Sequence, residues 1–312
     1  RIMNAEAEFL QGRFVDAQIC LENTYVHIAE NGQENMVLCC DFLALRLALC
    51  TELSLSYTIA ERRKELLRRH NITWVTLFDS VCAYYYALSG QITQIPVLFR
   101  EHQLSTVNFL APGKPMMELI ENQVYLVQQE YAKVIGRSEG LLAVCEAMHY
   151  ALVALHVQIQ TAAAYECLGK RTEVRNCLKR ALQIALPDQF YLPFVENYEY
   201  LEELLQREIQ TADAAEHVFL TKVTELGKNC QKRYGALRKT HMFPKIAAEL
   251  TEQEQRIIEL LAERLSNREI AEKLFLSEGT IKQYINRIYA KLQISGDVRT
   301  KRRQLIELLT AE

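Results

Sequence analysis

Apolar residues recur along most of this chain at helical spacing. No period-two run bounded by turn residues is long enough to argue for a sheet, and only six prolines and eleven glycines punctuate the 312 residues. The expected fold class is all-α. Glycines fall in similar surroundings at Phe9-Leu10-Gln11-Gly12-Arg13-Phe14, Ala87-Leu88-Ser89-Gly90, Val134-Ile135-Gly136-Arg137 and Cys167-Leu168-Gly169-Lys170. Each follows one apolar helical stretch and precedes another, the pattern of a helical hairpin turn. With a glycine-free turn near Thr51 to Ser54 admitted, the turns lie about 33 to 46 residues apart, the spacing of helical-repeat solenoids.

The clearest unit is Gln158 to Leu186. Ala162, Ala163, Tyr165 and Leu168 precede Gly169, and Cys177, Leu178, Ala181, Leu182 and Ala185 follow it. Small residues facing larger ones across a hairpin resemble a tetratricopeptide repeat, and Ala7 to Ala17 around Gly12 resembles another. Pro187 ends that unit and Leu201 to Leu205 begins a further amphipathic stretch. Between Lys222 and Lys245 the composition turns basic, with Lys222, Lys228, Lys232, Arg233, Arg238, Lys239 and Lys245 against Glu225 alone. Gly235 and Pro244 break the apolar pattern there. The expected organisation is a helical-repeat, tetratricopeptide-like sensor or interaction domain over 1–235, a linker over 236–247, and a small C-terminal domain over 248–312.

Three helix starts follow one another in that last domain. Thr251-x-x-Glu254 and Ser266-x-x-Glu269 are capping boxes, and Ser277 caps a third helix with Thr280 in its first turn. Ile257, Leu260 and Leu261, then Ile270, Ala271 and Leu274, then Ile281, Tyr284, Ile285, Ile288 and Leu292 give three short helices a shared core. At about 100° per residue from Ile281, the opposite face of the third helix carries Gly279, Gln283, Asn286 and Ala290, flanked by Lys282 and Arg287. Small residues permit close approach, amides match base edges and cations reach phosphate or guanine, so this face suits a DNA major groove. Asn267 and Arg268 stand at the start of the second helix, where backbone amides can also hold phosphate.

Net charge changes this picture only by locating it. The chain as a whole carries a formal charge of -3, so attraction to nucleic acid has to be local. From Ser277 to Arg303 seven cations (Lys282, Arg287, Lys291, Arg299, Lys301, Arg302 and Arg303) face only Glu278 and Asp297. Nine cysteines without a C-x-x-C pair read as reduced thiols of a cytoplasmic protein. No uninterrupted apolar run is long enough to span a membrane, and no signal peptide is recognisable. Cys145, His149 and His156 offer a metal-ligand row by spacing, but their apolar neighbours and the missing fourth ligand favour packing, so no metal is expected. Nor is any cofactor: Gly113-Lys114 and Gly169-Lys170 lack the earlier glycine of a phosphate loop, and no catalytic triad or carboxylate pair is identifiable, so no enzymatic activity is expected. The chain starts at Arg1 within a helical pattern and is expected to be a piece of a longer protein.

The string Leu250-Thr251, Glu254, Ile257, Leu265-Ser266-Asn267-Arg268-Glu269-Ile270-Ala271, Leu276-Ser277-x-x-Thr280-Ile281-Lys282, Ile288 and Lys291-Leu292 resembles the LuxR-type helix-turn-helix domain. The resemblance implies a transcription regulator that binds double-stranded promoter DNA, its second helix spanning the backbone and its third entering the major groove. Asn267, Arg268, Thr280, Lys282, Gln283, Asn286, Arg287 and Lys291 become the candidate DNA contacts, and two copies are expected to pair on DNA. Tyr284 and Arg264 depart from the family's usual histidine and glycine, and Ser295 to Thr300 looks longer than usual. Gly169 to Leu205 resembles the region before the DNA-binding domain in MalT-like regulators, which implies a sensor arm following an NTPase module that would precede Arg1. A small-molecule or protein effector is expected in the groove of the repeats, with Tyr85, Tyr125, Gln128, Gln129 and Gln158 as candidate ligand contacts. The alternative is a repeat scaffold whose C-terminal domain contacts protein, such as RNA polymerase or its sigma factor.

Overall fold

Caps written in the sequence set the starts of several helices in the computed structural model, which describes residues 1–33, 36–52, 55, 58–107, 111–248, 250–262, 265–292, 294, 300–302 and 304–305. All regular structure among them is helical, as the periodicity predicted. The first helices are α1 (Ile2–Leu10), α2 (Phe14–Asn31), α3 (Val37–Cys50), α4 (Ile59–Arg68), α5 (Ile72–Leu88), α6 (Val97–Arg100) and α7 (Lys114–Val127). They are followed by α8 (Tyr131–Ala147), α9 (Ala151–Cys167), α10 (Arg171–Ala185), α11 (Leu192–Glu196), α12 (Tyr198–Ile209) and α13 (Ala214–Ala248). The last three are α14 (Glu252–Ala262), α15 (Asn267–Leu274) and α16 (Glu278–Lys291). The chain divides into two compact units, residues 1–234 and 235–312. The stretch 236–247, expected to be a linker, is helical and lies within α13. Arg264, Ser295 to Arg299 and Arg303 lie outside the described residues.

Hairpin turns in the first unit close by one recurring device. Gly12, Gly90 and Gly169 hold φ angles of 71°, 71° and 69°, the left-handed backbone that ends a helix most readily at glycine. Gly136 is different from what its surroundings predict: it lies inside α8. The turns on either side of α8 are made by Gln129 (φ 63°) and His149 (φ 55°). Glu130 N–H donates to Tyr125 O and Tyr150 N–H to Cys145 O, both at 2.8 Å, which is the closure that Lys170 N–H makes to Tyr165 O around Gly169. α3 ends at Cys50, where a glycine-free break was expected.

Helices α1, α3, α5, α7 and α9 pack side by side as a row, while α2, α8 and α10 pack as hairpin partners. The segment of α11 lies on this row, and Leu192 to Glu196 are all buried. Tyr191 N–H donates to Leu10 O of α1 at 2.8 Å. Glu196 accepts from Arg46 Nε of α3 at 2.6 Å and from Tyr84 OH of α5 at 2.8 Å. Asn197 Oδ1 accepts from Gln123 Nε2 of α7, whose own oxygen accepts from Gln160 of α9 at 2.9 Å. The shared face of the repeats, expected to be an open ligand groove, is therefore filled along this line by the chain's own segment. Burial acts against the Arg46 charge, but Glu196 and Glu6 more than offset it and hold its pKa above the ordinary value. Burial, with Arg46 nearby, lowers the His156 imidazole to about 3, so this ring is neutral.

Candidate nucleic-acid interface

Leu250, Ile257, Ile258, Leu261, Ile270, Ala271, Ile281, Ile285, Ile288 and Tyr289 form one core beneath α14, α15 and α16, joined by Ile294 and Leu305. The pattern predicted most of it; Ile258 and Tyr289 were missed, and Leu260, Leu274, Tyr284 and Leu292 are only partly buried. All three predicted caps are present. Glu254 N–H donates to Thr251 Oγ1 at 3.4 Å, Glu269 N–H to Ser266 Oγ at 3.3 Å and Thr280 N–H to Ser277 Oγ at 3.0 Å. Glu254 and Glu269 each return an acceptor to the cap residue's own N–H, at 2.8 Å and 2.7 Å. For Glu269, the hydrogen bonds from Ser266 hold the carboxyl below its ordinary pKa.

A tight turn sets α16 against α15. Phe275 takes φ 55°, Leu276 N–H donates to Ala271 O at 2.9 Å and Ser277 opens the next helix. With Ile281, Ile285, Ile288 and Tyr289 buried, the opposite side of α16 exposes Gly279, Lys282, Gln283, Asn286, Arg287 and Ala290. This is the face that the sequence assigned to DNA. A Cβ on Gly279 would meet only Ser277 Oγ, at 3.7 Å, so the fold itself leaves space there for a close partner. Lys282 Nζ sits 3.1 Å from Glu278, and the Arg287 guanidinium lies 5.2 Å from the Tyr284 ring centre.

Other candidates occupy different settings. Arg268 is exposed and pairs with Glu272 at 3.2 Å, one turn along α15. Thr280 is half-buried, its hydroxyl 2.8 Å from Ser277 Oγ. Asn267 Oδ1 accepts from Arg302 Nη1 at 2.5 Å, and Arg302 Nη2 also donates to Leu265 O at 2.6 Å. Lys291 Nζ donates to the buried Glu254 at 2.7 Å. Asn267 and Lys291 thus have partners inside the unit. The sequence reading did not single out Phe275, which is 95% exposed at the turn. Its one signal was an aromatic residue between Leu274 and Leu276, both partly buried in the core.

In the first unit the five candidate ligand residues do not form one site. Tyr85 is buried in α5, its ring packed edge-on against Tyr86, and Gln158 is buried in α9. Tyr125 stacks on the His102 ring at 3.8 Å, and Gln128 sits beside the same ring. Gln129 is the exposed turn residue after α7. Cys145, His149 and His156 fall on α8, on a turn and on α9, and among the described residues no three His, Cys, Asp or Glu side chains come together in a group that could hold a metal. No described helix is long and apolar enough to cross a membrane.

Three packed helices with a capped, exposed third helix define the second unit as a helix-turn-helix domain. Residues 248–302 match the family described as bacterial regulatory proteins, luxR family. Over 43 residues the chain is 49% identical to the DNA-binding transcriptional activator DevR/DosR of Mycobacterium tuberculosis (strain ATCC 25618 / H37Rv). That stretch is 14% of this chain and 20% of the relative, so the chain spans about a fifth of the relative's length. No solved structure matches the chain.

Proposed function

We propose that this chain is a sequence-specific, DNA-binding transcription regulator that acts by binding, its helical-repeat unit receiving a signal and its C-terminal unit engaging promoter DNA. The exposed polar face of α16 carries the reading. Gln283 and Asn286 present amides suited to base edges, Gly279 and Ala290 leave room for approach, and Lys282 and Arg287 reach the flanking phosphates or guanine. Arg268 and the backbone amides at the start of α15 meet the phosphate backbone. Two copies pair on a two-fold site, because one such unit makes few phosphate contacts and half-sites one helical turn apart add theirs. The similarity to DevR/DosR, a DNA-binding transcriptional activator, agrees with this reading.

A second reading has a specific observation behind it. Phe275 exposes an apolar ring at the turn before α16, which fits contact with a protein such as RNA polymerase. Selection of bound duplexes from a random-sequence pool by the full chain decides between them. An enriched two-fold sequence supports the DNA reading; enrichment of nothing, with retention of polymerase lost in Phe275→Ser, supports the other.

A further inference from the structure

A cavity of about 510 Å³ opens in the first unit between α7, α8 and residues 102–107. Lys114, Glu118, Glu121 and Tyr125 line it from one face of α7, at i, i+4, i+7 and i+11. The Glu121 carboxylate is buried at its wall, 2.5 Å from Arg137 Nη1 of α8. His102 closes the same wall, stacked on Tyr125.

The hydrogen bonds around His102 fix which of its nitrogens is bare. Gln128 Nε2 donates to Arg100 O at 3.0 Å, so Gln128 Oε1 is the acceptor for His102 Nε2–H at 2.7 Å. In the neutral ring, Nδ1 is then an acceptor too. It is buried without a hydrogen-bond partner and lies 3.7 Å from Glu121 Oε1. Two acceptors facing one space call for a donor between them. Glu118 adds a second carboxylate to the lining, 3.9 Å from Nη2 of the same Arg137. Lys114, whose Nζ lies 3.8 Å from Glu118 Oε1, and the Ser105 hydroxyl are both exposed at the cavity, with Leu104 and Val107 as apolar wall.

We propose that this cavity binds a small zwitterionic amine of the free amino acid kind, its ammonium held by Glu121, Glu118 and His102 Nδ1 and its carboxylate by Lys114 and Ser105. The proposal deepens the reading that the repeat unit receives a signal, and names the class of signal. It places the site on the outer side of α7, away from the row face that α11 fills.

Calorimetric titration of the full chain with L-leucine, whose side chain suits Leu104 and Val107, tests it. One saturable site per chain is expected. N-acetyl-L-leucine, which lacks the ammonium, and L-leucinamide, which lacks the carboxylate, bind at least about tenfold more weakly, the size of a lost charge-assisted hydrogen bond. Glu121→Gln lowers the affinity for leucine similarly. Glu118→Gln, at a more exposed position whose carboxylate lies 3.9 Å from Arg137 and 3.8 Å from Lys114, does so with unchanged helicity. No saturable heat with leucine, equal binding of the acetylated form, or leucine binding untouched by both variants overturns the site. Binding that leaves the affinity for the selected duplex unchanged upholds the site and overturns the signal-receiving reading.

Discussion

Lys291, the last residue of α16, donates from Nζ to Glu254 Oε2 of α14 at 2.7 Å, and the same oxygen accepts the Thr251 backbone N–H at 2.8 Å. The Glu254 side chain is only 3% exposed, whereas Lys291 is 38% exposed. Lys291 therefore ties the end of the exposed helix to the first helix of its unit, and its loss strands a buried carboxylate. Lys291→Ala is expected to lower the stability of this unit by about 1 to 2 kcal/mol, less than a fully buried pair because solvent reaches the lysine. Thermal unfolding followed by circular dichroism checks this. Unchanged melting with reduced DNA binding would return Lys291 to the set of phosphate contacts.

The same carboxylate gives the unit an acid-sensitive component. Burial raises the Glu254 pKa, but hydrogen bonds from Lys291 and Thr251 outweigh it, leaving the group below its ordinary 4.5. A group that is more acidic folded than unfolded stabilises the fold above its unfolded value and loses that contribution as pH falls through the folded one. Urea midpoints should hold steady from neutral pH to about 5 and then decline more steeply in the native chain than in Glu254→Gln. Parallel curves for the two proteins would contradict this.

Gly136 separates two descriptions of α8. A glycine inside a helix with open space at its Cβ costs stability relative to alanine, whereas a glycine at a left-handed turn is favoured. Gly136→Ala is expected to stabilise the first unit by about 0.5 to 1 kcal/mol. Gly169→Ala, at φ 69°, should destabilise it by a comparable amount. Opposite signs in chemical denaturation are the expected outcome, and destabilisation by both substitutions would restore the predicted turn at 136.

Glu196 holds the short α11 segment to the row of helices. Glu196→Ala leaves buried Arg46 with Glu6 alone and removes the acceptor of Tyr84 OH. A cost of about 3 to 5 kcal/mol is expected, against a much smaller one for the more exposed Glu6→Ala. Equal urea midpoints for the two variants would mean that α11 contributes little.

What the sequence made legible was local chemistry. The capping boxes at Thr251 and Ser266, the cap at Ser277 and the exposed face of α16 each depend on residues within a few turns of one another. The turns at Gly12, Gly90 and Gly169 were legible because glycine favours left-handed backbone. Those at Gln129 and His149 were not, since polar residues adopt that backbone at modest cost and carry no distinguishing mark. The α11 segment was invisible for another reason: its partners Arg46, Tyr84 and Gln123 lie 150, 112 and 74 residues from theirs. The tie between Lys291 and Glu254 is likewise non-local, at a separation of 37 residues. Lysine near a helix end was therefore read as a DNA contact.

Base reading by α16 is the central claim, and parallel selection with the native chain, Asn286→Ala and Lys282→Ala tests it most directly. The native chain should yield a two-fold consensus. Asn286→Ala should cost about 1 to 3 kcal/mol on that sequence and lose preference at one base pair in each half-site. Lys282→Ala should keep the consensus while weakening all duplexes alike, with the salt dependence reduced by about one charge. A native consensus that Asn286→Ala leaves intact, or no consensus at all, would contradict the account.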